Sequence, residues 1–242
     1  MRWTEREEHM AAISREESTS LRGDIAAAAR AFAKLGYVHA FGHVSARDGD
    51  RILITPTAPP LAAQRREDAL AVDFDGAILS GDAKNRPIEV FLHLEIYRAR
   101  ADIGAICRAH PPFAALWPDG DIPPIQHGFG GIVGALAAFD MCDLVHNPRL
   151  GQAAAAALGA ADGLFLRGNG ALTVGRDVGE AAARLWSLEE RCAYALRQAR
   201  PRAAFSHDEL NLRQRWYPAE AGRIWLWLKY VAESADSSSS RI

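Results

Sequence analysis

The stretch Ala105-Ile106-Cys107-Arg108-Ala109-His110-Pro111 decides the fold of this chain. The apolar run at residues 104–107 predicts a short buried strand. A new helix is predicted to begin at Pro111-Pro112, because proline suits the first helical turn. Arg108 and His110 therefore stand where a buried strand ends and a helix is about to begin.

Hairpins and further strands are predicted on either side of this stretch. Two hairpins precede it, one formed by residues 43–47 and 51–55 and the other by residues 71–74 and 77–79. Each turns at a Gly-Asp or Asp-Gly pair, which is typical of tight hairpin turns. Further strands are expected at residues 143–146, 164–166 and 172–174. Strands that arrive mainly as hairpins favour an antiparallel sheet.

Helical patterns alternate with these strands. Ser20 is a candidate cap for a helix that stops at Gly36. Other helices are predicted to start near Pro87 and to cover residues 151–159, 178–199 and 206–233. The mixture predicts an α/β fold with a central, mainly antiparallel sheet and helices on its faces.

The bulk composition excludes some classes of partner. Of the 242 residues, 24% are charged and 49% are hydrophobic, and the net charge is −2. We therefore expect no general attraction to nucleic acid or to an anionic membrane. The sequence contains no apolar run long enough to span a bilayer and no pattern of a signal peptide. Three scattered cysteines do not predict a disulfide framework, and together these features favour a cytoplasmic protein.

The chain is expected to form one domain. Residues 1–18 are polar and predicted to be a loosely attached N-terminal segment, and residues 19–233 are predicted to form the domain. The serine-rich stretch 234–242 is predicted to be a disordered tail.

Four segments, taken in order, resemble the class II aldolase/adducin family. They are Gly42–Arg47 with Ile52–Pro56, Pro87–Glu89 with His93 and Ile96–Ile103, Ala105–Pro111, and Leu166–Gly175. The GHVSAR and HPP variants are similar to the branch that decarboxylates hydroxylated aromatic or pyridine carboxylic acids. The resemblance implies a three-layer αβα domain, and a homotetramer with active sites between neighbouring subunits.

The resemblance breaks at the metal ligands. The family usually holds a divalent metal with a His-x-His pair and a third histidine in an Arg-Gly-His-Gly turn. Here the pair is Arg108-x-His110 and the turn is Gly168-Asn169-Gly170. Arginine stays protonated and has no lone pair to give a metal. We therefore expect no metal cofactor; the alternative is a rebuilt zinc, manganese or iron site that uses His110 with His127, His43 or Glu89.

Four residues are the predicted catalytic set. Glu89 occupies the position of the family's acid/base glutamate, although a glutamate also suits the first turn of a helix. Arg108 is predicted to hold a substrate carboxylate or to stabilise an enolate, and a structural ion pair is the alternative. His110 is a candidate proton carrier. Asn169 is predicted either to donate to the same oxyanion or only to shape its turn.

Four further residues are predicted to bind substrate. His43 stands where the family commonly has asparagine in its phosphate-binding loop, which argues against a sugar phosphate. Ser45 is in the same loop, and His127 is a candidate for the pocket. Tyr217 is a candidate to enter the site of a neighbouring subunit.

These observations favour a metal-independent enzyme that makes or breaks a carbon–carbon bond in a small, aromatic or heteroaromatic carboxylate. A metalloenzyme with a rebuilt site, including a non-haem iron oxygenase, is the second hypothesis. The third is a non-catalytic binding protein like the adducin head domain.

Overall fold

The computed structural model describes residues 3–198, 200 and 202–234. Its helices are α1 (Trp3–Lys34), α2 (Val90–Ala99), α3 (Pro112–Ala115), α4 (Pro148–Leu158), α5 (Val178–Arg197), α6 (His207–Gln214) and α7 (Tyr217–Glu233). Its strands are β1 (His43–Asp48), β2 (Arg51–Ile54), β3 (Leu70–Val72), β4 (Ile78–Ser80), β5 (Ala105–Ala109), β6 (Leu136–Phe139), β7 (Gly163–Leu166) and β8 (Ala171–Gly175). Short 3₁₀ helices cover Leu61–Ala63, Ala83–Asn85 and Gly128–Gly131.

Within the described residues, the strands form one sheet in the order β4-β3-β2-β1-β5-β8-β7-β6. Every neighbouring pair is antiparallel except β6 and β7, which are parallel. The predicted mainly antiparallel sheet is confirmed. The stretch that begins at Ala105 forms β5, in the middle of the sheet between β1 and β8.

Helices cover both faces of the sheet. Alternate side chains of a strand point to opposite faces, so Cys107 packs with α1, α5 and α7, whereas Ile106 packs with α2 and α4. Each face has its own cluster of buried apolar side chains, including Phe32 and Leu185 on the first face and Leu94 and Leu150 on the second. The predicted three-layer αβα class is confirmed.

The strand order also fixes where the ends of the strands meet. Because β5 and β7 both pair antiparallel with β8, they run in the same direction, and β6 runs parallel to β7. The carboxyl ends of β5, β7 and β6 therefore lie along a single edge of the sheet. Arg108 and His110 stand at the β5 end of that edge.

The N-terminal helix is longer than predicted. The helix expected to be capped at Ser20 begins at Trp3, inside the segment 1–18 that we expected to be loosely attached. The segment is rich in glutamate, arginine and alanine, which are good helix formers. Ser18 also donates to Asp48 Oδ2 at 2.9 Å, so this part of α1 is tied to the first hairpin.

The strand predicted at residues 143–146 is wrong. Local hydrogen bonds fold this segment into a turn, because His146 N donates to Leu144 O at 2.8 Å and Leu144 N donates to Asp143 Oδ1 at 2.7 Å. The strand that the sequence reading missed is β6, at Leu136–Phe139.

The helix predicted at residues 206–233 is divided into α6 and α7 by a turn at Arg215-Trp216. The remaining elements agree with the predicted positions to within a few residues. The predicted tail 234–242 lies outside the described residues beyond Ser234, so its disorder and the domain limits stay predictions. No helix in the described part of the chain is long and apolar enough to cross a membrane.

Candidate active site

Five of the predicted site residues converge at the edge of the sheet. Arg108 is near the end of β5 and is paired with His43, the first residue of β1. His110 follows β5, and Asn169 lies in the turn between β7 and β8. Glu89 is the residue that precedes the first turn of α2. Strand pairing and the start of one helix therefore bring together residues that are up to 126 positions apart (169 − 43).

Arg108 is the centre of this cluster and is only 1% exposed. Its Nη2 lies 3.1 Å from Glu89 Oε2 and donates both to the carbonyl oxygen of Asn169 at 3.2 Å and to the Asn169 side-chain oxygen. Nη1 reaches His110 Nδ1 only at 3.5 Å. Nε is buried and has no hydrogen-bond partner among the described residues. The guanidinium is thus held through Nη2, while Nη1 has only a long contact and Nε has no partner among the described residues.

Glu89 supplies the compensating charge. It is 5% exposed, and its Oε1 accepts from Asn169 Nδ2 at 3.0 Å and from Val145 N at 3.5 Å. Burial lowers the pKa of Arg108, and the charge of Glu89 opposes that effect. Both members of the ion pair are out of water, so removal of either side chain would leave a buried charge without its partner.

Asn169 links the pair to His110. Its side-chain oxygen accepts from Arg108 and from His110 Nε2, the latter at 3.3 Å, while its amide nitrogen donates to Glu89. Gly168 and Gly170 flank it with φ values of +64° and +73°. A side chain at Gly170 would also meet the carbonyl oxygen of Ala109, since an added Cβ would lie 2.2 Å from it. Asn169 thus contacts both members of the ion pair, and the choice between an oxyanion donor and a turn former stays a prediction.

His110 is half-buried and its pKa is lowered, first by burial and then by the charge of Arg108. The imidazole is therefore neutral at pH 7. Donation from Nε2 to Asn169 leaves the lone pair on Nδ1, facing Nη1 of Arg108. A neutral imidazole can take up a proton at the nitrogen that carries the lone pair.

A second polar layer lies next to the cluster, between β1 and α2. Ser45 Oγ is 2.7 Å from His93 Nδ1 and 2.9 Å from Tyr97 Oη, and all three residues are buried. The ring centroids of His43 and His93 are 6.1 Å apart. Burial lowers the pKa of His93 to about 3 and that of His43 well below its ordinary value, so both rings are neutral. Ser45 thus contacts His93 and Tyr97, and its binding of substrate stays a prediction.

The sequence reading gave no role to Tyr97 and only weak weight to His93. Glu89, His93 and Tyr97 recur every four residues, a spacing that places side chains on one face of a helix. That stripe is the signal that would have assigned all three residues to the sheet-facing side of α2.

The remaining two candidates lie elsewhere in the chain. His127 Nδ1 accepts from Gly130 N at 3.1 Å, and its ring packs between Phe129 and Tyr194. Burial lowers the pKa of His127 to about 4. Tyr217 packs against Gly131 at the start of α7. Neither has a hydrogen bond to Arg108 among the described contacts, so one chain does not bring them into the cluster. Entry of Tyr217 into a neighbouring subunit's site stays a prediction.

The residues present do not fit the divalent metal that the family's fold implies. Arg108 is a cation that offers only donors, and its Nη2 already contacts the side-chain oxygens of Asn169 and Glu89. A metal ion bound by His110 would stand beside this fixed positive charge. The alternative set of His110, His127 and Glu89 is not assembled either. In the described part of the chain, no group of three or more His, Cys, Asp or Glu side chains is placed to hold a metal.

The chain belongs to the class II aldolase/adducin family. The family model of the Class II Aldolase and Adducin N-terminal domain matches residues 23–196. A 3,4-dihydroxyphthalate decarboxylase from Arthrobacter keyseri is 30% identical over 191 residues, which cover 72% of this chain and 77% of the relative. An L-fuculose phosphate aldolase from Methanocaldococcus jannaschii is 28% identical over 166 residues, 64% of this chain and 83% of the relative. The predicted family and its decarboxylase-like branch are confirmed.

Solved structures show the same fold. An L-fuculose 1-phosphate aldolase from Glaciozyma antarctica has a TM-score of 0.76 at 22% identity, covering 90% of this chain and 92% of its own. An aldolase II superfamily protein from Pseudomonas syringae has a TM-score of 0.75 at 23% identity, covering 89% and 93%. At these identities the match establishes the fold alone.

Proposed function

We propose that this protein is a metal-independent lyase, or a related condensing enzyme, that acts on a small aromatic or heteroaromatic carboxylate. The observation that carries the proposal is the buried Arg108, held by Glu89 and Asn169 at the position where the family has a metal-binding histidine. Aldolases and decarboxylases among the relatives support carbon–carbon bond chemistry in general.

Arg108 supplies the positive charge that such a reaction requires. Cleavage next to a carboxylate or carbonyl leaves an electron pair that must be stabilised as an enolate or a related anion. A guanidinium in a buried site stabilises an anion strongly, because little water screens the interaction. Since Nε has no partner and Nη1 has only a long contact, both can donate to substrate oxygens. A cationic anchor of this kind favours an anionic substrate.

His110 is the proton carrier in this scheme. For a hydroxylated aromatic acid, Nδ1 takes the proton of the ring hydroxyl, and the electron pair released makes the ring carbon that bears the carboxylate electron-rich. His110 then returns the proton to that carbon. The bond to the carboxylate breaks, its electron pair restores the ring, and carbon dioxide leaves. The imidazole begins and ends neutral, as its lowered pKa requires.

Glu89 and Asn169 keep Arg108 in place during these steps. Oε1 of Glu89 accepts from Asn169 and Oε2 pairs with Arg108, so uptake of a proton by this carboxylate would weaken the ion pair that holds the guanidinium. We therefore assign the proton transfer to His110 and the orientation of the guanidinium to Glu89 and Asn169. We also propose that the enzyme is a homotetramer, in which His43, Ser45, His127 and Tyr217 remain candidates for binding substrate.

The test combines metal analysis with a turnover assay. Protein purified without chelators or a histidine tag should contain far less than one equivalent of zinc, manganese, iron or cobalt. Carbon dioxide release and product formation are then measured over a panel of hydroxylated benzoates and pyridine carboxylates. Arg108→Lys should lower turnover about 10²- to 10³-fold, whereas Arg100→Ala, at the other end of α2, should retain it, because Arg100 pairs with Asp102 and the carbonyl oxygen of Ala161 and has no contact with the Arg108 cluster among the described hydrogen bonds.

Two results would overturn the proposal. One tightly held metal per subunit, whose removal stops turnover, would move the assignment to a metalloenzyme with a rebuilt site. Absence of both turnover and ligand-induced stabilisation across the panel would favour a non-catalytic binding protein, because a ligand of the native state raises its melting temperature.

A further inference from the structure

We infer that the cavity beside the Gly168–Gly170 turn is a subsite for a ring or apolar substituent on the substrate, so that the substrate is larger than a single-ring acid. The cavity has a volume of about 340 Å³. It is distinct from the Arg108 cluster, because none of the four predicted catalytic residues lines it. The inference rests on the proposed function and specifies the class of substrate.

The strand order places the cavity and the candidate site side by side. The cavity is lined by Phe139 and Leu166, the last residues of β6 and β7. These carboxyl ends lie on the same edge of the sheet as Arg108 at the end of β5. Small-molecule sites of α/β proteins commonly lie at such strand ends. A substrate bound to Arg108 at the end of β5 would therefore lie near the cavity, which begins two strands away at the end of β7.

The turn that carries Asn169 joins the two places. Gly168 and Gly170 line the cavity, and Asn169 between them contacts Arg108 and His110. A Cβ added at Gly170 would lie 3.0 Å from His110 Cδ2, so the imidazole adjoins the cavity wall. Helix α3, which begins two residues after His110, forms another wall through Ala114 and Ala115. His110, the proposed proton carrier, therefore stands at the boundary between the charged cluster and the cavity.

The walls indicate what the cavity would bind. Two aromatic residues on the same face of the sheet, Trp117 and Phe165, line it, and flat apolar groups pack well against such rings. The bound group should thus be an aromatic or apolar unit.

The rim of the cavity is charged. Arg167 Nη1 is 2.9 Å from Asp140, and Arg167 Nε is 3.5 Å from Asp119. The two carboxylates occupy the guanidinium, so the rim offers no free cation for a second substrate carboxylate. We therefore place the substrate's carboxylate at Arg108 and its uncharged part in the cavity.

The test fills the cavity from two walls. Ala138 pairs with Phe165 across β6 and β7, and its neighbours Ala137 and Phe139 pack on the opposite face, so a larger side chain at 138 projects into the cavity. The two filling variants are Ala138→Phe and Ala115→Leu. Ala115 is an exposed residue of α3. Ala153→Leu, an exposed alanine on α4, is the matched control.

The probes are salicylate, with one ring, and 1-hydroxy-2-naphthoate, with two, and binding is measured by calorimetry. The naphthoate should bind the unaltered protein at least tenfold more tightly, as expected when the extra ring is buried. Both filling variants should remove that advantage and change salicylate affinity less than twofold, and Ala153→Leu should change neither.

Three outcomes would overturn the inference. Equal affinity of the two probes for the unaltered protein would remove the subsite and leave the proposed function standing. A change in assembly mass in the filling variants, measured by light scattering, would assign the cavity to a contact with a second copy of the chain. If neither probe binds and no aromatic acid is turned over, the proposed function fails and this inference fails with it.

Discussion

Two buried arginines, Arg108 and Arg191, show the difference between a cation placed for chemistry and one placed for structure. They are 1% and 6% exposed, and burial lowers the pKa of both, that of Arg191 to about 10. Arg191 donates to backbone carbonyl oxygens, at 2.7 Å to Pro123 and at 3.1 Å to Gly134. Arg108 is held by the side chains of Glu89 and Asn169.

The difference in partners separates the two roles. Carbonyl oxygens of fixed loops cannot move or titrate, so Arg191 fastens the segment around residues 123–134 to α5. The partners of Arg108 include a carboxylate that balances its charge, and its Nε has no partner among the described residues. A buried guanidinium with compensated charge and an unused donor is suited to receive a second anion.

The largest expected effect comes from removing the counter-charge of Arg108. Glu89→Ala should lower the free energy of unfolding by about 3–5 kcal/mol, because it leaves a buried cation without its partner. Urea denaturation measures this loss. The double variant Glu89→Ala with Arg108→Met should recover part of the stability, since no uncompensated charge remains. A double variant less stable than Glu89→Ala would show that the pair is not the source of the effect.

The next effect distinguishes the two arginines by activity. Arg108→Lys should lower kcat about 10²- to 10³-fold, the usual cost of losing one donor to a developing oxyanion. Lysine keeps the charge but lacks the planar fork of donors. Arg191→Lys should destabilise the protein and leave kcat per folded molecule unchanged. Equal loss of kcat in both variants would remove the distinction between them.

A smaller effect tests how Arg108 is oriented. Asn169→Ala should cost about 1–3 kcal/mol in stability, because donors on Arg108 and His110 and an acceptor on Glu89 each lose a hydrogen-bond partner. It should also weaken carboxylate binding, since both Arg108 and Glu89 lose a contact. Asn169→Asp keeps the acceptor for Arg108 but places a second carboxylate beside Glu89. If Asn169→Ala left carboxylate binding and stability unchanged, the residue would only shape its turn.

Much of the fold could be predicted from the sequence, because hairpin turns and helix stops are local signals. Gly49-Asp50 and Gly36 marked their boundaries correctly. The misassigned strand at residues 143–146 and the missed β6 have the same cause, because the local sequence does not show which segments pair in a sheet. The segment 136–139 is short and becomes a strand only by pairing with β7, which no local pattern reveals.

The candidate site was also predictable only in part, because contacts between distant segments are not visible in the local sequence. Motif positions identified Arg108, His110, Glu89 and Asn169, and the structure brings these four together. The ion pair between Glu89 and Arg108 required the geometry of α2 against β5, which spacing along the chain does not give. His127 was a candidate for the pocket in the sequence, but only the fold shows that it packs against Phe129 and Tyr194.

The smallest expected effect is a pH dependence of the free energy of unfolding. It comes from the buried histidines of the polar layer beside Arg108. The pKa of His93 is about 3 in the folded protein and near 6.5 when unfolded, because burial and then the charge of Arg108 oppose protonation. Between these values the unfolded chain binds the extra proton, so stability falls as pH decreases from 6.5 towards 3. His43, beside the same ring, has a lowered pKa and acts in the same direction.

Each such histidine contributes a slope of up to about 1.4 kcal/mol per pH unit in that window. Urea denaturation between about pH 4 and pH 7 should therefore give a shallower pH dependence for His93→Gln than for the unaltered protein, by about the contribution of one proton. Tyr97→Phe is the matched control, because it removes a hydroxyl from the same network and keeps the imidazole. It should lower stability at every pH and leave the slope unchanged. If His93→Gln kept the full slope, His93 would not be a buried group that stays neutral beside the charged Arg108.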